Sequence, residues 1–381
     1  MIKFLDQLSE SDLKGKKVLL RVDFDVTVKD EKIEDDFRIK SHKEAIDYLV
    51  NNGAKVLLVS HIGHDDPSRT FEPIIEQIGE ILNHILTLVP HSELTSLDLL
   101  FNASQVLLLD NIRQDPREIQ NDDGFAVSLS NGFDFYVNDA FAVSHRKHTS
   151  VAAITKYLPS YGGFLIKKEI DNLSKAIAAP AEGKVLVVGG AKISTKLPVI
   201  KNFIDKAEKI LIGGALANDF FQSQGISIGN SVTDDNVSPD VKSPNIILPH
   251  DILVSSDKTG QSGVELSPIK NINSDQTILD IGSETAKSFA DIIKNSKMVI
   301  WNGPMGLSEV KAFAAGTVAV ARAVAGASYS IVGGGDTITA ADKLGLLDHY
   351  SFVSTGGGAM LDFLAGNDLP GLVALGYDAN L

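Results

Sequence analysis

Basic and acidic side chains follow four apolar runs in the first half of the chain, and their types suit a small anion. The segments are Asp23-Phe24-Asp25, His61-Ile62-Gly63-His64, Asp110-Asn111-Ile112-Arg113 and Asn138-Asp139-Ala140-Phe141, with His145-Arg146-Lys147-His148 shortly after the last. Guanidinium and imidazolium groups hold carboxylate or phosphate through charge-assisted hydrogen bonds. The pattern therefore predicts a site for a small, doubly charged substrate.

Two features of this half have plainer alternatives. His145 and His148 have the spacing of a metal-binding pair, although no third ligand follows at a persuasive distance in the sequence. Arg38 lies among acidic neighbours, so a solvated ion pair with them is the alternative to a role at the site.

Glycine-rich segments follow five apolar runs in the second half. They are Gly189-Gly190-Ala191-Lys192, Gly213-Gly214-Ala215, Asn302-Gly303-Pro304-Met305-Gly306, Gly333-Gly334-Gly335-Asp336-Thr337 and Ser354-Thr355-Gly356-Gly357-Gly358. Glycine lets a backbone approach a ligand closely, and a helix start favours phosphate. The alternative is that these glycines only make tight turns. Because neither G-x-x-x-x-G-K-[ST] nor G-x-G-x-x-G is present, a phosphate site here has another design.

Lys192 and Lys196 lie four residues apart at the start of a predicted helix. Like charges at that spacing repel each other, and both oppose the helix dipole. An anion such as a transferring phosphoryl group would offset both effects; two solvated lysines are the alternative. A glycine-lined nucleotide region and a basic small-anion region together favour phosphoryl transfer, which depends on positioning and charge neutralisation.

The elements that must position these residues are predicted from nine short aliphatic runs separated by segments of helical periodicity. This pattern is typical of parallel strands covered by helices on both faces, so the fold class is α/β with two doubly wound sheets. The runs are 17–24, 55–60, 105–109, 133–137, 184–188, 209–212, 298–301, 329–332 and 351–353. Proline and paired glycines at 158–163 predict a domain boundary, and the helix at 164–178 is either a hinge or a surface crossover helix.

The composition limits the class of function. A chain of 381 residues is long enough for two domains. Its net charge of −14 disfavours binding to nucleic acid or an anionic membrane. The absence of cysteine excludes disulfides and thiolate chemistry, and no apolar stretch approaches ~18 residues. We therefore expect a cytoplasmic protein with small-molecule partners.

The chain resembles the phosphoglycerate kinase family over essentially its whole length. The matching segments are Arg21-Val-Asp-Phe24, Ser60-His-Ile-Gly63, Asn138-Asp-Ala-Phe141 with His145-Arg146, Gly163-Phe-Leu-Ile166, Gly189-Gly-Ala-Lys192, Trp301-Asn-Gly-Pro-Met-Gly306, Gly333-Gly-Gly-Asp-Thr337 and Ser354-Thr-Gly-Gly-Gly358. The resemblance implies reversible transfer of the acyl phosphate of 1,3-bisphosphoglycerate to ADP, with Mg2+ bound to ATP or ADP, in a monomer. It also implies a substrate domain at 1–160, a hinge helix at 161–179, a nucleotide domain at 180–362 and a tail at 363–381 that returns to the first domain.

The resemblance further implies a role for individual residues. Catalysis would fall to Arg38 and Lys192, which stabilise the phosphoryl group in flight. The residues expected to hold the glycerate substrate are Asp23, Asp25, Arg38, His61, His64, Arg113 and Arg146. Those expected at the nucleotide are Lys196, Glu309, Gly334, Gly335, Asp336 and Thr337, with Asp336 also serving the metal ion.

The acid-binding segments depart from the family pattern. Asp25 stands where the family has Asn, Thr27 where it has Pro, His64 where it has Arg and Ala142 where it commonly has Gly. The first and third changes make the pocket less positive, and a carboxylate there would face an anionic ligand unless it is protonated or paired. Two further hypotheses follow: a kinase of a related, less anionic carboxylate, and a catalytically impaired nucleotide-binding protein.

Overall fold

The structure, a computed structural model, describes residues 1–63, 66–94, 96–234 and 239–378. It divides into two compact units, the first formed by Met1–Asp171 with Asp368–Leu381 and the second by Asn172–Asn367. Among its described residues the first unit has eight strands, which are β1 Lys17–Arg21, β2 Val28–Lys29, β3 Lys32–Ile33, β4 Lys55–Val59, β5 Leu86–Val89, β6 Val106–Leu109, β7 Phe135–Asn138 and β8 Ser160–Gly162.

Six of these strands form one parallel sheet in the order β5-β6-β4-β1-β7-β8, and β2 pairs with β3 in a short antiparallel hairpin. The central strands β1, β4 and β6 consist almost entirely of buried Val and Leu. Aliphatic side chains on both faces of a strand require cover on both faces, which parallel sheets obtain from crossover helices. The carboxyl ends of β1, β4, β6 and β7 lead directly into the charged segments of the first half.

The second unit has nine strands in the described part of the chain. They are β9 Lys184–Val188, β10 Lys209–Ile212, β11 Ile246–Ile247, β12 Asp251–Ser255, β13 Glu265–Pro268, β14 Thr277–Ile281, β15 Met298–Asn302, β16 Ser330–Gly333 and β17 Phe352–Ser354. Six form a parallel sheet in the order β11-β10-β9-β15-β16-β17, and β12–β14 form a separate antiparallel sheet. The two parallel sheets confirm the predicted fold class.

Helices connect the parallel strands and cover the two sheets. In chain order they are α1 Glu10–Leu13, α2 Phe37–Ser41, α3 Lys43–Asn51, α4 Ile75–Leu82, α5 Leu97–Leu100, α6 Asp123–Ser130, α7 Phe164–Ala178, α8 Ile193–Phe203, α9 Leu216–Ser223, α10 Ser283–Lys294, α11 Ala315–Ala325, α12 Gly335–Asp342, α13 Gly358–Ala365 and α14 Pro370–Ala374. The boundary between the two units lies inside α7. Among the described helices, none is long and apolar enough to cross a membrane.

All nine predicted strands are present, but the expectation of nine strands in two sheets was incomplete. Strands β5, β8 and β11 complete the parallel sheets at their edges, where short segments with half-exposed side chains lack a continuous aliphatic signature. The segment 255–267 is polar and has no strand pattern in the sequence, yet its ends belong to the antiparallel strands β12 and β13. Three of the four residues of strand β13 are exposed, so the strand lacks the run of aliphatic residues that marks a buried strand in the sequence.

Candidate active site

The end of β1 places two carboxylates beside an arginine and a histidine. Asp23 is buried, and its Oδ2 accepts a hydrogen bond from Arg38 Nη1 at 3.2 Å. The same Arg38 nitrogen donates to the Asp25 backbone carbonyl at 3.0 Å. Burial by itself raises the pKa of Asp23, but the positive charge of Arg38 and the neighbouring His61 outweigh that effect and lower it. Arg38 thus contacts Asp23 and Asp25 at the site, which supports a role there over a solvated ion pair with its acidic neighbours in sequence.

Asp25 is held as a charged carboxylate. Its Oδ1 accepts the backbone N–H of Gly63 at 2.9 Å, and its Oδ2 lies 3.5 Å from His61 Nε2. Burial opposes ionisation, but the interactions with His61, Gly63 and Arg38 bring the pKa of Asp25 well below its usual value. The negative charge at this position, where the family has Asn, is therefore present at neutral pH and is partly compensated from within the protein.

Positive charge accumulates next to these groups. The pKa of Arg113 is lowered to about 10, first by burial and then by the charges of Arg146 and Arg21. The pKa of His148 is lowered to about 3 by burial and by the same arginines, so this imidazole is neutral. A cluster of arginines close enough to lower the pKa of Arg113, in a chain of net charge −14, attracts a small anion.

Two of the sequence predictions for this region have other outcomes. His64 lies outside the described residues. His148 Nδ1 is 3.9 Å from the buried Glu118 carboxylate, and in the described part of the chain no group of three His, Asp or Glu side chains could hold a metal ion. The neutral His148 thus belongs to the lining of the basic region.

The second unit carries a cavity of about 290 Å³ at the carboxyl ends of its parallel strands. Its walls are mostly apolar, and polar or charged groups lie at their edge. The lining includes Gly190, Gly214, Ala215, Phe221, Leu279, Pro304, Leu307, Glu309 and Asp336. A mostly apolar cavity with a few polar groups in its lining suits a nucleotide base and ribose. A larger cavity of about 600 Å³ elsewhere in this unit is lined by none of the predicted site residues.

The two predicted lysines occupy different environments. Lys192 is the exposed residue that precedes α8, whereas Lys196 is buried in the first turn and donates from Nζ to the Gly189 carbonyl oxygen. The pKa of Lys196 is lowered to about 8, mainly by burial and further by Lys192, while Asp336 counteracts the decrease. Asp336 lies exposed in the first turn of α12. A buried ammonium group and an exposed carboxylate thus face the same region.

The glycines of the strand exits have two different roles. A Cβ at Gly303 would come within 2.2 Å of the Gly189 carbonyl oxygen, and Gly303 has a φ of +96°. Gly303 is therefore needed for two neighbouring strand exits to approach each other, which agrees with the alternative that these glycines only make tight turns. At Gly335, in contrast, a Cβ would meet no atom within 4 Å. Gly335 opens onto free space at the amino end of α12, where unpaired backbone N–H groups favour an anion.

Sequence reasoning missed Asn302, at the end of β15. Asn302 is buried, and its Nδ2 has no hydrogen-bond partner in the part of the chain that the structure describes. This donor lies 3.0 Å from where a Cβ of Gly334 would be. Thr337, predicted at the phosphates, is buried and accepts the Gly303 N–H at 2.7 Å through its hydroxyl. In the sequence, Asn302 stood out only as the first residue of a glycine-rich strand exit within the family motif, and no role was assigned to it.

Comparisons with known proteins identify the family to which the chain is similar. The family model described as phosphoglycerate kinase matches residues 8–367. A phosphoglycerate kinase of Desulfosudis oleivorans is 40% identical over 97% of this chain and 98% of its own length, and one of Moorella thermoacetica is 38% identical over the same shares. The solved structure of phosphoglycerate kinase from Coxiella burnetii has a TM-score of 0.81 at 32% identity, covering 99% of both chains. That from Pyrococcus horikoshii has a TM-score of 0.87 at 30% identity, covering 98% of both.

Proposed function

The chain belongs to the phosphoglycerate kinase family of phosphotransferases, and from this premise we propose which residues carry the reversible transfer between 1,3-bisphosphoglycerate with ADP and 3-phosphoglycerate with ATP. The observation that carries the proposal is the basic cluster in which Arg146 and Arg21 lie close enough to Arg113 to lower its pKa, together with Arg38 held by the buried Asp23. Arg113 and Arg146 hold the carboxylate and phosphate of the acid, together with His61. Arg38 keeps its place through Asp23 and uses its remaining N–H groups for the transferring phosphoryl group.

The nucleotide is proposed to lie in the 290 Å³ cavity, with its base against the apolar walls and its ribose near Glu309. Lys196 and the amino end of α12, including Gly334, Gly335 and Thr337, receive the phosphates. Asp336 is a carboxylate of the cavity lining in the first turn of α12, and one carboxylate plus nucleotide phosphates suits Mg2+, which would neutralise phosphate charge when bound. Lys192, exposed before α8, stabilises the phosphoryl group in flight.

We further propose that transfer requires the two units to close about the segment 161–179, which excludes water from the phosphoryl group. Small-angle scattering with both substrates should then give a smaller radius of gyration than scattering of the free protein. An unchanged radius with both sites saturated would contradict closure. The proposal keeps the expectations of a monomer in the cytoplasm that acts on small molecules.

The direct test is a coupled assay with ATP, Mg2+ and 3-phosphoglycerate, together with calorimetry of Mg-ADP binding. Turnover by the unaltered protein supports the proposal. Activity only in the double variant Asp25→Asn, His64→Arg would remove it in favour of a less anionic acid or a protein without turnover. If Mg-ADP does not bind, all three hypotheses fail.

Asp25→Asn alone is expected to lower KM for 3-phosphoglycerate about tenfold, because one unit charge at contact distance from an anion is worth on the order of 1 kcal/mol or more in a partly exposed site. An asparagine oxygen still accepts the Gly63 N–H, so the local backbone is kept. The matched control is Asp36→Asn, which removes the same charge from an exposed ion pair with Lys40. An equal change of KM in both variants would contradict a specific effect of Asp25.

Gly335→Ala is expected to weaken Mg-ADP binding about tenfold while leaving the thermal midpoint unchanged, because its methyl group enters the open space proposed for phosphate. Gly303→Ala should instead lower the thermal midpoint and leave Mg-ADP binding largely unchanged. Its Cβ would collide with a backbone oxygen at a left-handed φ, so a loss of about 3 kcal/mol in unfolding free energy is expected. Calorimetry and thermal unfolding of both variants check this pair. Normal ADP affinity in Gly335→Ala would rule out this phosphate position.

A further inference from the structure

His42, which lies between α2 and α3, is a buried histidine that the mechanism above does not use. Only 1% of the residue is exposed. Its Nε2 accepts the backbone N–H of Asp23 at 2.9 Å, and its Nδ1 lies 2.9 Å from Asp139 Oδ2. The imidazole therefore bridges the end of β1, which carries the acid site, and the end of β7.

The hydrogen bonds determine which nitrogen carries the proton. A backbone N–H can only donate, so Nε2 of His42 must accept and carries no hydrogen. A neutral imidazole then has its hydrogen on Nδ1, which donates to the Asp139 carboxylate. His42 is thus a directional link with a donor on one side and an acceptor on the other.

Asp139 connects this link to the start of α7. Its Oδ1 accepts the Leu165 N–H at 2.8 Å, in the first turn of the helix, where a negative charge is favoured. Burial raises the pKa of Asp139, and the hydrogen bonds from His42 and from the α7 backbone counteract that increase. Because both oxygens accept N–H groups, the carboxylate form fits this arrangement. Gly163 leaves the required space, since a Cβ there would lie 2.1 Å from Oδ1.

The atoms that Arg38 contacts lie on the segment that His42 holds. Arg38 Nη1 donates to the Asp23 carboxylate and to the Asp25 carbonyl, both within two residues of the Asp23 N–H. A rotation of the peptide at Asp23 would move both acceptors together. The position of the arginine thus depends on a backbone segment that two side-chain acceptors hold, His42 at the Asp23 N–H and Ser60 at the Phe24 N–H.

We propose that His42 is a positioning residue for the acid site: it ties the backbone of Asp23 to Asp139 and the amino end of α7, and so sets the place of Arg38. The inference rests on the proposed function, because it assigns His42 an effect on 3-phosphoglycerate and not on the nucleotide. It requires no contact between His42 and substrate. The residue is a lone histidine in a helical segment, and sequence analysis gave it no role.

The test compares His42→Ala and His42→Gln with a structural control. His42→Ala should raise KM for 3-phosphoglycerate about tenfold, the worth of one buried hydrogen bond, and leave KM for ATP within about twofold. His42→Gln should recover most of the loss, since its amide oxygen can accept the Asp23 N–H. Tyr48→Phe, which removes a hydrogen bond from the same region to the Leu8 carbonyl, should change neither KM. A KM for the acid that is unchanged in His42→Ala would overturn the inference.

Asp139→Asn provides a second, independent variant. An amide NH2 facing Nδ1 would force the other tautomer, whose Nε2–H would point at the Asp23 N–H, so we expect a similar increase of KM. In the His42→Ala background the same change should add little, because the link is already lost. Fully additive increases of KM in the double variant would contradict the proposed link from Asp23 through His42 to Asp139.

A measurement on the unaltered protein keeps the inference testable if these variants do not fold. Imidazole ¹⁵N shifts of His42 should identify the Nδ1-protonated neutral tautomer at pH 7, and the Nε2-protonated tautomer or the imidazolium would overturn the inference. If the unaltered protein shows no activity with 3-phosphoglycerate, the proposed function fails while this assignment can still hold. If the protein is active but His42 is protonated on Nε2, the proposed function holds and this inference fails.

Discussion

Arg38→Ala is expected to lower kcat in both directions by about two to three orders of magnitude, because removing a preorganised charge aimed at a transferring phosphoryl group typically has that effect. The structure gives Arg38 one nitrogen already engaged with Asp23 and Asp25, which holds the planar guanidinium in place. Its remaining donors supply the fork that a phosphoryl group accepts. The expected result is measured in the coupled assay at saturating ATP and 3-phosphoglycerate.

The variant also has an expected structural effect. Asp23 is buried, and its lowered pKa depends on Arg38 and His61. A carboxyl group with a folded pKa below its unfolded value adds stability above the unfolded value, near pH 4, and loses it as the pH falls through the folded value. Without Arg38 that contribution decreases, so Arg38→Ala should unfold at lower denaturant concentration at pH 7.

Two controls separate the catalytic effect from the structural one. Arg38→Lys keeps a positive charge near Asp23 but lacks the fork, so most of the stability should return while kcat stays low. Lys40→Ala, in the same helix, removes only an exposed ion pair with Asp36 and should keep kcat within about twofold. If Arg38→Lys recovers full activity, bidentate contact with the phosphoryl group is not required.

The aliphatic runs predicted the parallel sheets well because burial on both faces leaves little choice of residue. Val56–Val59 and Val185–Val188 are aliphatic throughout, and every one of their side chains is buried. Strand β13 shows the limit of this rule. It lies at the edge of a small antiparallel sheet with exposed Glu265 and Leu266, and tertiary pairing rather than residue type makes it a strand.

Within the site, residue types predicted where the side chains lie better than they predicted which side chains are charged. The resemblance and the strand ends brought Asp23, Arg38 and His61 together in one prediction, and the structure has them within hydrogen-bonding or ion-pair distance. The charge of Asp25 could not be derived from sequence, because it depends on a backbone N–H 38 positions away at Gly63. The same holds for His42, whose partners come from β1 and β7.

The glycine-rich segments after the strands show a similar limit of prediction from sequence. Five similar segments predicted a single function, but only geometry distinguishes Gly303, where an added Cβ would collide with a neighbouring strand exit, from Gly335, where it would meet no atom within 4 Å. A glycine in sequence states that a side chain is excluded. It does not state whether the protein or a ligand fills the space.

Lys196→Met should change stability and binding in opposite directions. The folded pKa of Lys196 is about 8 and its ordinary value 10.5, so the unfolded chain binds more protons between these two pH values. Stability therefore rises with pH across that window, and the cost of burying the charge, roughly 3 kcal/mol, is fully present below pH 8. Methionine removes this cost but leaves the Gly189 carbonyl without its donor, so we expect a net gain of about 1 kcal/mol at pH 7.

The affinity of the same variant for Mg-ADP should fall about 100-fold, since a buried charge that pairs with phosphate contributes several kcal/mol. The control is Lys201→Met on the exposed side of α8, which should alter neither stability nor affinity. Equal stability of Lys196→Met and the unaltered protein at pH 7, measured by denaturant unfolding, would mean that the ammonium group is solvated and not buried.

The pH dependence of binding follows from the same titration and distinguishes Lys196 from Lys192. In the unaltered protein the ammonium form binds phosphate, so Mg-ADP affinity should be constant below about pH 8 and decline above it. Calorimetry from pH 6.5 to pH 9.5 should therefore give a curve that bends near pH 8, and Lys196→Met should give a flat one. Because Lys192 is exposed, Lys192→Met should retain the bend while it lowers kcat. A bend that persists in Lys196→Met would assign the titration to another group and remove Lys196 from the phosphate site.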